Sequence, residues 1–210
     1  QKRFVSLDRS YACTTEYQAP DRYRHLTRIF EHGDRFSVRG AGLCHVAASF
    51  GPGSVVIGMG AFDRLLAFQP DSDPPSVTVE GGTSFGKLRA FLGPLGLALP
   101  IQSHRRQGSI GGAIACNIFA PNALRKDALQ QGAFESCVLA LRLYHPRHGF
   151  VSASRTAEPR VFSLTCGGLG LTGIIVSATL KLERMSGGFP SPRSWTPVGS
   201  SRSGFLESQA

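Results

Sequence analysis

Three glycine-bearing segments and one histidine carry most of the chemical information in this sequence. Phe36-Ser37-Val38 reads as a short strand running into Arg39-Gly40-Ala41-Gly42, where the glycines permit backbone conformations and close approaches that a Cβ would block. His45 follows three residues after that loop, near whatever the loop binds. Ser109-Ile110-Gly111-Gly112-Ala113-Ile114-Ala115-Cys116 is a run of small and apolar residues suited to a buried backbone segment beside a ligand. The third segment, Gly168-Leu169-Gly170-Leu171-Thr172-Gly173, fits GxGxxG, a string that in a dinucleotide-binding unit joins a strand to a helix whose N-terminus holds a pyrophosphate. Here the residues that follow are β-branched and predict a strand, and Glu183 comes only ten positions on. Without a helix dipole or an acidic residue about 20 positions downstream, the string does not carry that function.

The remaining polar residues point to little chemistry. His25 and His32 belong to a helical region, His104 to a loop, and His145 and His148 to a turn, where their HxxH spacing lacks a third ligand; no metal site is expected. Five cysteines, Cys13, Cys44, Cys116, Cys137 and Cys166, are widely spaced without a CxxC pair and read as free thiols. No GxSxG, HExxH, P-loop or EF-hand string occurs, which removes the usual hydrolase, protease and nucleoside-triphosphatase signals.

The elements that position these loops can be placed from periodicity. Tyr23, Leu26, Ile29 and Phe30 have helical spacing after Pro20, with an end near Gly33. Ser54 to Met59 and Ser76 to Glu80 predict strands, and Ser84 caps a helix through Leu92 that shows Phe85, Leu88, Phe91 and Leu92 on one face and stops at Gly93-Pro94. Leu97 to Ile101 is a short extended segment. Val138 to Tyr144 and Phe150 to Ala153 predict an antiparallel pair around Pro146 to Gly149, and Gly173 to Leu182 a last strand.

At 210 residues with 41% hydrophobic residues, 25 Gly and 13 Pro, the chain is long enough for a substantial core and rich in turns. The longest apolar runs fall far short of the roughly 20 residues that cross a bilayer, and no signal-peptide run follows Gln1-Lys2-Arg3, so no membrane span and a cytoplasmic location are expected. The net charge of +9 is scattered from Arg3 to Arg202, which reads as a solvated basic surface. A nucleic-acid-binding module has only that charge in its favour, without an aromatic-basic motif.

Taken in order, Arg39-Gly40-Ala41-Gly42, Val77-Thr78-Val79-Glu80-Gly81-Gly82, Gly96-Leu97-Ala98-Leu99-Pro100, Ser109 to Cys116 and Gly167 to Ile175 resemble the successive signatures of PCMH-type FAD domains, within the vanillyl-alcohol oxidase superfamily. The likeness covers roughly Glu16 to Arg184 and is nearest to the decaprenylphosphoryl-ribose, alditol and aldonolactone oxidases. It implies an α+β fold of two lobes, a small α/β lobe over about 16–75 and a larger mixed or antiparallel-sheet lobe over 76–185, with FAD extended between them. Residues 1–15 are then an N-terminal extension and 186–210 a Gly/Ser/Pro-rich tail, with the substrate domain absent. By the same resemblance Val38, Arg39, Gly40, Ala41, Gly42, Leu43, Cys44 and His45 wrap the FAD pyrophosphate through backbone N–H groups. Ser109, Ile110, Gly111 and Gly112 form a second flavin loop, Cys116, Asn117, Ile118 and Phe119 lie beside the flavin ring, and Ile175 contacts the adenine side. His45 aligns with a position that is a flavin-linked histidine in alditol oxidases and a tyrosine in the decaprenylphosphoryl-ribose enzyme, so the resemblance implies FAD held either covalently through His45 or by contacts alone.

Two departures bear on activity. Where the resemblance implies His-Gly after Cys116-Asn117-Ile118, this chain has Phe119-Ala120-Pro121-Asn122, and Arg125 to Gln131 read as an insertion. The expected function is oxidation of a sugar-like or alditol-like alcohol by hydride transfer to flavin, with a partner chain or further domain completing the site; no catalytic base is identified. The alternative is a truncated or non-catalytic flavin-fold interaction protein.

Overall fold

The computed structural model describes residues 1–30, 35–45, 47–121 and 131–185. The chain is a mixed α/β structure with two principal sheets and few helices. The first sheet contains β1 (Lys2–Val5), β2 (Ala12–Gln18), β3 (Arg35–Arg39) and β4 (Ser54–Gly58) in the order β1-β2-β4-β3. The β1–β2 pair is antiparallel, whereas β4 runs parallel to both β2 and β3. All five residues of β4 are buried, as the unbroken run Ser-Val-Val-Ile-Gly requires of a parallel strand covered on both faces. Residues 1–15, expected as an extension, instead supply β1 and the start of β2, with Phe4 buried against Phe50 and Val56. Between β2 and β3 lies α1 (Tyr23–Ile29), which buries Leu26. His32 and the expected end of this helix at Gly33 lie outside the described residues.

The second sheet is antiparallel throughout, in the order β11-β10-β12-β6-β5, from β5 (Leu65–Gln69), β6 (Ser76–Glu80), β10 (Val138–His145), β11 (Gly149–Ser154) and β12 (Ile174–Lys181). Leu65–Gln69 pairs with Ser76–Glu80, so the strands of the second sheet begin before Pro75, the expected lobe boundary. Two helices cover one face: α2 (Phe85–Leu92), capped by the Ser84 hydroxyl accepting from the Lys87 amide at 3.1 Å, and α3 (Ile110–Ala115). Phe85, Leu88 and Leu92 are buried, but Phe91 turns outward to meet Phe68 edge-on, correcting the four-residue face read from spacing. The short strands β7 (Leu97–Ala98), β8 (Phe119–Pro121), β9 (Gln131–Ala133) and β13 (Glu183–Arg184) pair in twos, β7 with β13 and β8 with β9, and α4 (Pro159–Thr165) precedes the 167–173 loop. A register shift between Arg142 and Leu143 opposite β12 is a β-bulge, and it switches which side of β12 faces which cluster. Ile174 and Val176 pack with Leu26, Ile57, Met59 and Phe62, whereas Ile175, Ala178 and Leu180 join the main core with Val79, Leu88, Ile114 and Phe134.

One buried charge ties these layers together. The Glu80 carboxylate, fully buried, accepts from Arg64 Nε and Nη2, from the Arg64 amide, and from the Tyr23 hydroxyl at 2.5 Å. Burial alone would raise its pKa, but the hydrogen bonds from Arg64 and Tyr23 outweigh it and leave the carboxyl below its usual range. Burial, with donation to Glu80, pushes the Tyr23 phenol up to about 12. We expect Glu80→Gln to cost about 2 kcal/mol, less than a fully buried pair because Arg64 can rehydrate. A depressed carboxyl stabilises the fold above its unfolded pKa and loses that contribution as pH falls through the folded value, so the gap between wild type and variant in denaturant titrations narrows in acid.

Candidate functional site

The connection from β3 to β4, residues 40–53, is a parallel crossover that would usually hold a helix, yet here it carries the glycine loop. It leaves the carboxyl end of β3, where ligands of open parallel sheets gather. The loop closes over α3 at one contact: a Cβ on Gly40 would stand 2.1 Å from Ser109 Oγ. That hydroxyl is buried, accepts from the Gly112 amide at 3.3 Å as the N-cap of α3, and receives the Ala41 amide at 3.4 Å. Ile110-Gly-Gly-Ala-Ile-Ala115, part of the run read from sequence as a buried backbone segment beside a ligand, is a short helix, and its glycines let it lie against the sheet. Gly81 serves the same purpose from the other side, since a Cβ there would meet the Ile175 carbonyl at 2.2 Å.

These contacts enclose a cleft of about 420 Å³. Val38, Gly40, Ala41, Gly42, Leu43, Cys44 and His45 form one wall, and Ser109, Gly112, Cys116, Ile118 and Phe119 the other. A smaller cavity of about 60 Å³ shares Val38, Gly40, Gly112, Ala115 and Leu169 with it and extends the trench to Gly111 and Ile175. Fourteen of the seventeen residues read from sequence therefore come together. The other three do not line it. Arg39 turns behind the loop, its guanidinium 5.0 Å from the Phe4 ring and 5.6 Å from the Phe50 ring, with Nη1 donating to Ser49 Oγ at 3.0 Å; burial lowers its pKa. Ile110 is fully buried in the core. Asn117, at positive φ, uses its side-chain oxygen to accept the Glu135 amide at 2.9 Å.

Sequence reading missed the rim. Gln102, Ser103, His104, Arg105 and Gly108 line the cleft because this loop is pinned over the start of α2, where the Phe85 and Gly86 amides donate to Gly108 and Arg106. The adjacent cations Arg105-Arg106, just before Gly108-Ser109, were the available signal. Leu169, Gly170 and Gly173 also line the trench: the GxGxxG string does precede a strand, but its loop is anchored to α3 by the Leu169 amide donating to Ala115.

The walls differ in what they offer a ligand. On α3 the amides are already engaged, Gly111 with Gly81 at 2.7 Å and Ile110 with Thr83 at 2.9 Å. In the glycine loop the amides of Gly42, Leu43 and Cys44 meet no acceptor among the described residues. The site thus has a donor wall and a smooth, apolar wall, which fits an elongated group carrying an anionic section and a flat ring system. Cys44 and Cys116 both line it, and desolvation followed by the neighbouring Cys44 sulfur pushes the Cys116 thiol up to about 11. Among the described residues no cluster of three metal-ligating side chains occurs, and no helix is long and apolar enough to cross a membrane.

Residues 23–147, more than half of the chain, match the FAD binding domain family. The sequence is 34% identical over 162 residues to decaprenylphosphoryl-β-D-ribose oxidase of Mycolicibacterium smegmatis, covering 76% of this chain and 34% of that protein. It is 27% identical to mitochondrial L-galactono-1,4-lactone dehydrogenase of Arabidopsis thaliana, over 73% of this chain and 23% of the relative, and 27% identical to a second such dehydrogenase from Oryza sativa, over 71% and 24%. The chain spans between about a quarter and a third of the length of these relatives.

The Ser109 bridge yields a direct test. Ser109→Ala should lower stability by about 1 kcal/mol, the usual cost of a lost N-cap, and should speed hydrogen exchange at both Ala41 and Gly112. Gly81→Ala should cost more than Ser109→Ala in the same denaturant titration, because its new Cβ meets backbone that cannot turn aside.

Proposed function

The chain belongs to the FAD binding domain family, with FAD as its cofactor, and from that premise we propose that the trench between the glycine loop and α3 is where FAD is held. The observation that carries this reading is the pairing of the Gly42, Leu43 and Cys44 amides, which meet no acceptor among the described residues, with a smooth facing wall at Ser109, Gly112, Cys116, Ile118 and Phe119. In this reading the loop amides hold the pyrophosphate, Ile175 and Gly111 bound the adenine end, and Cys116 to Phe119 flank the ring. Arg39 contributes charge from behind the loop, and Arg105 stands at the rim. The small and large lobes implied by the resemblance correspond to the four-stranded and five-stranded sheets, with FAD between them.

We assign the parent activity as oxidation of a sugar-like or alditol-like alcohol. When bound, FAD supplies the acceptor for the hydride leaving the carbinol carbon. This chain's own residues bind and orient: the apolar wall excludes water from the ring, and the crossover loop fixes the anionic section. The relatives' names specify a ribose derivative and a galactonolactone, which supports a polyol-like substrate class. The catalytic base and the closing of the active site are assigned to segments outside this trench. A cytoplasmic location is part of the same proposal and is supported by five free cysteines. A second reading, a non-catalytic flavin-fold interaction protein, is favoured by Phe119, which stands 66% exposed where the resemblance implies a polar His-Gly pair.

The purified chain should show flavin absorption bands, and Gly40→Val, which drives a branched side chain into Ser109, should weaken FAD binding at least about tenfold, or 1.4 kcal/mol, while circular dichroism stays native. Acid precipitation then separates the modes of attachment: colour in the pellet makes His45 the covalent link, and colour in the supernatant leaves FAD held by contacts alone. A folded chain that takes up no flavin after incubation with FAD overturns the proposal.

A further inference from the structure

Cys44 and Cys116 stand face to face across the trench. Cys44 belongs to the β3–β4 crossover and Cys116 to the C-terminal end of α3, so the two thiols line one cleft from opposite walls, with the Cys44 sulfur near enough to bear on the Cys116 thiol. The other three cysteines have different surroundings. Cys13 packs beside Phe4 and Phe50, Cys137 is fully buried in the main core, and Cys166 packs against that core. Only the 44/116 pair joins two thiols inside a ligand cleft. Converting such a contact to a disulfide requires the sulfurs to close to about 2.05 Å, a movement that the irregular crossover can supply without disturbing a strand.

We propose that Cys44 and Cys116 form a reversible disulfide across the trench, and that this bond and FAD exclude one another, so that oxidation of the pair blocks cofactor uptake. The exclusion half rests on the reading that FAD lies between the glycine loop and α3. A ring system lying between these walls must part the two sulfurs, and a covalent bond prevents their parting. Glutathione disulfide, a small-molecule disulfide of reducing compartments, is a sufficient oxidant. One cysteine thiolate attacks it and expels a glutathione thiolate; the second cysteine thiolate attacks the protein sulfur of the mixed disulfide and expels the other. Two electrons pass from the cysteines to glutathione disulfide, and the two thiol protons end on the two released glutathiones. Reduction runs the same steps backwards, as befits a regulatory disulfide in a reducing compartment.

The test uses the whole 210-residue chain without cofactor, equilibrated in glutathione redox buffers and alkylated. Under oxidising buffer the intact mass should fall by two hydrogens. Non-reducing peptide maps should join the peptides of Cys44 and Cys116, and maleimide added after denaturation should label three of the five cysteines. FAD titration of the oxidised chain should give an affinity at least about tenfold below that of the reduced chain, restored by dithiothreitol. Chain preloaded with FAD should cross-link at least about tenfold more slowly than chain without it. In Cys116→Ser the affinity for FAD should be the same in oxidising and reducing buffers, whatever its value. Absence of the 44–116 peptide link overturns the disulfide, and a link that leaves FAD affinity unchanged overturns the exclusion. A reduced chain that binds no FAD overturns the function proposed above and the exclusion with it, while the peptide map still decides the disulfide by itself.

Discussion

The Ser109 hydroxyl is shared between two segments 68 residues apart in sequence, and the cleft depends on that sharing. It closes the first turn of α3 through Gly112 and holds the crossover loop through Ala41. Neither contact is strong alone. Their position matters more, because Gly40 brings the loop backbone against the serine so closely that no side chain fits between. The donor wall is thereby set parallel to the apolar wall, and the width of the trench follows from backbone packing rather than from flexible side chains. Such preorganisation lowers the cost of ordering a ligand.

Glu80 performs a related task further from the cleft. A buried carboxylate with Arg64 and Tyr23 is weak evidence for net stability, since desolvation offsets much of its attraction. Its directional bonds do fix how α1 and the turn before β5 meet the end of β6, from which Gly81 approaches β12. The line from Glu80 to Gly81 to Gly111 then reaches α3 through one hydrogen bond, which the Gly111 amide donates to the Gly81 carbonyl. Positive charge is distributed in a similar spirit: Arg39 stacks on Phe4 and Phe50 behind the loop, with its guanidinium against the backbone of Gly42.

What could be read from sequence was local. Ser76–Glu80 and the Ser84-capped helix emerge where expected because alternation, cap and Gly-Pro stop lie within a few residues of one another. The hairpin of Val138–His145 and Gly149–Ser154 is legible for the same reason. Helix α3 is not, since two glycines in six residues oppose helix formation and only the Ser109 cap and burial of Ile110, Ala113 and Ile114 impose it. The strand at Lys2–Val5 lacks clear alternation and is held by pairing with Ala12–Gln18. The motifs on the two cleft walls were recognisable by type and order. The rim at Gln102 to Gly108 was not, because only the fold carries that loop over α2.

The position of β12 has a consequence for how the chain is made. It is the central strand of the five-stranded sheet, yet among the described residues it is the last long strand in chain order and so the last of that sheet to be synthesised. Until Lys181 has emerged, the β5–β6 and β10–β11 hairpins each present an open edge and an uncovered apolar face, with no neighbour to complete either. Vectorial synthesis therefore cannot build this sheet from one side to the other. The nascent chain must hold two unfinished halves apart and join them in a final insertion, the stage at which such chains are most exposed to mispairing and to capture by chaperones.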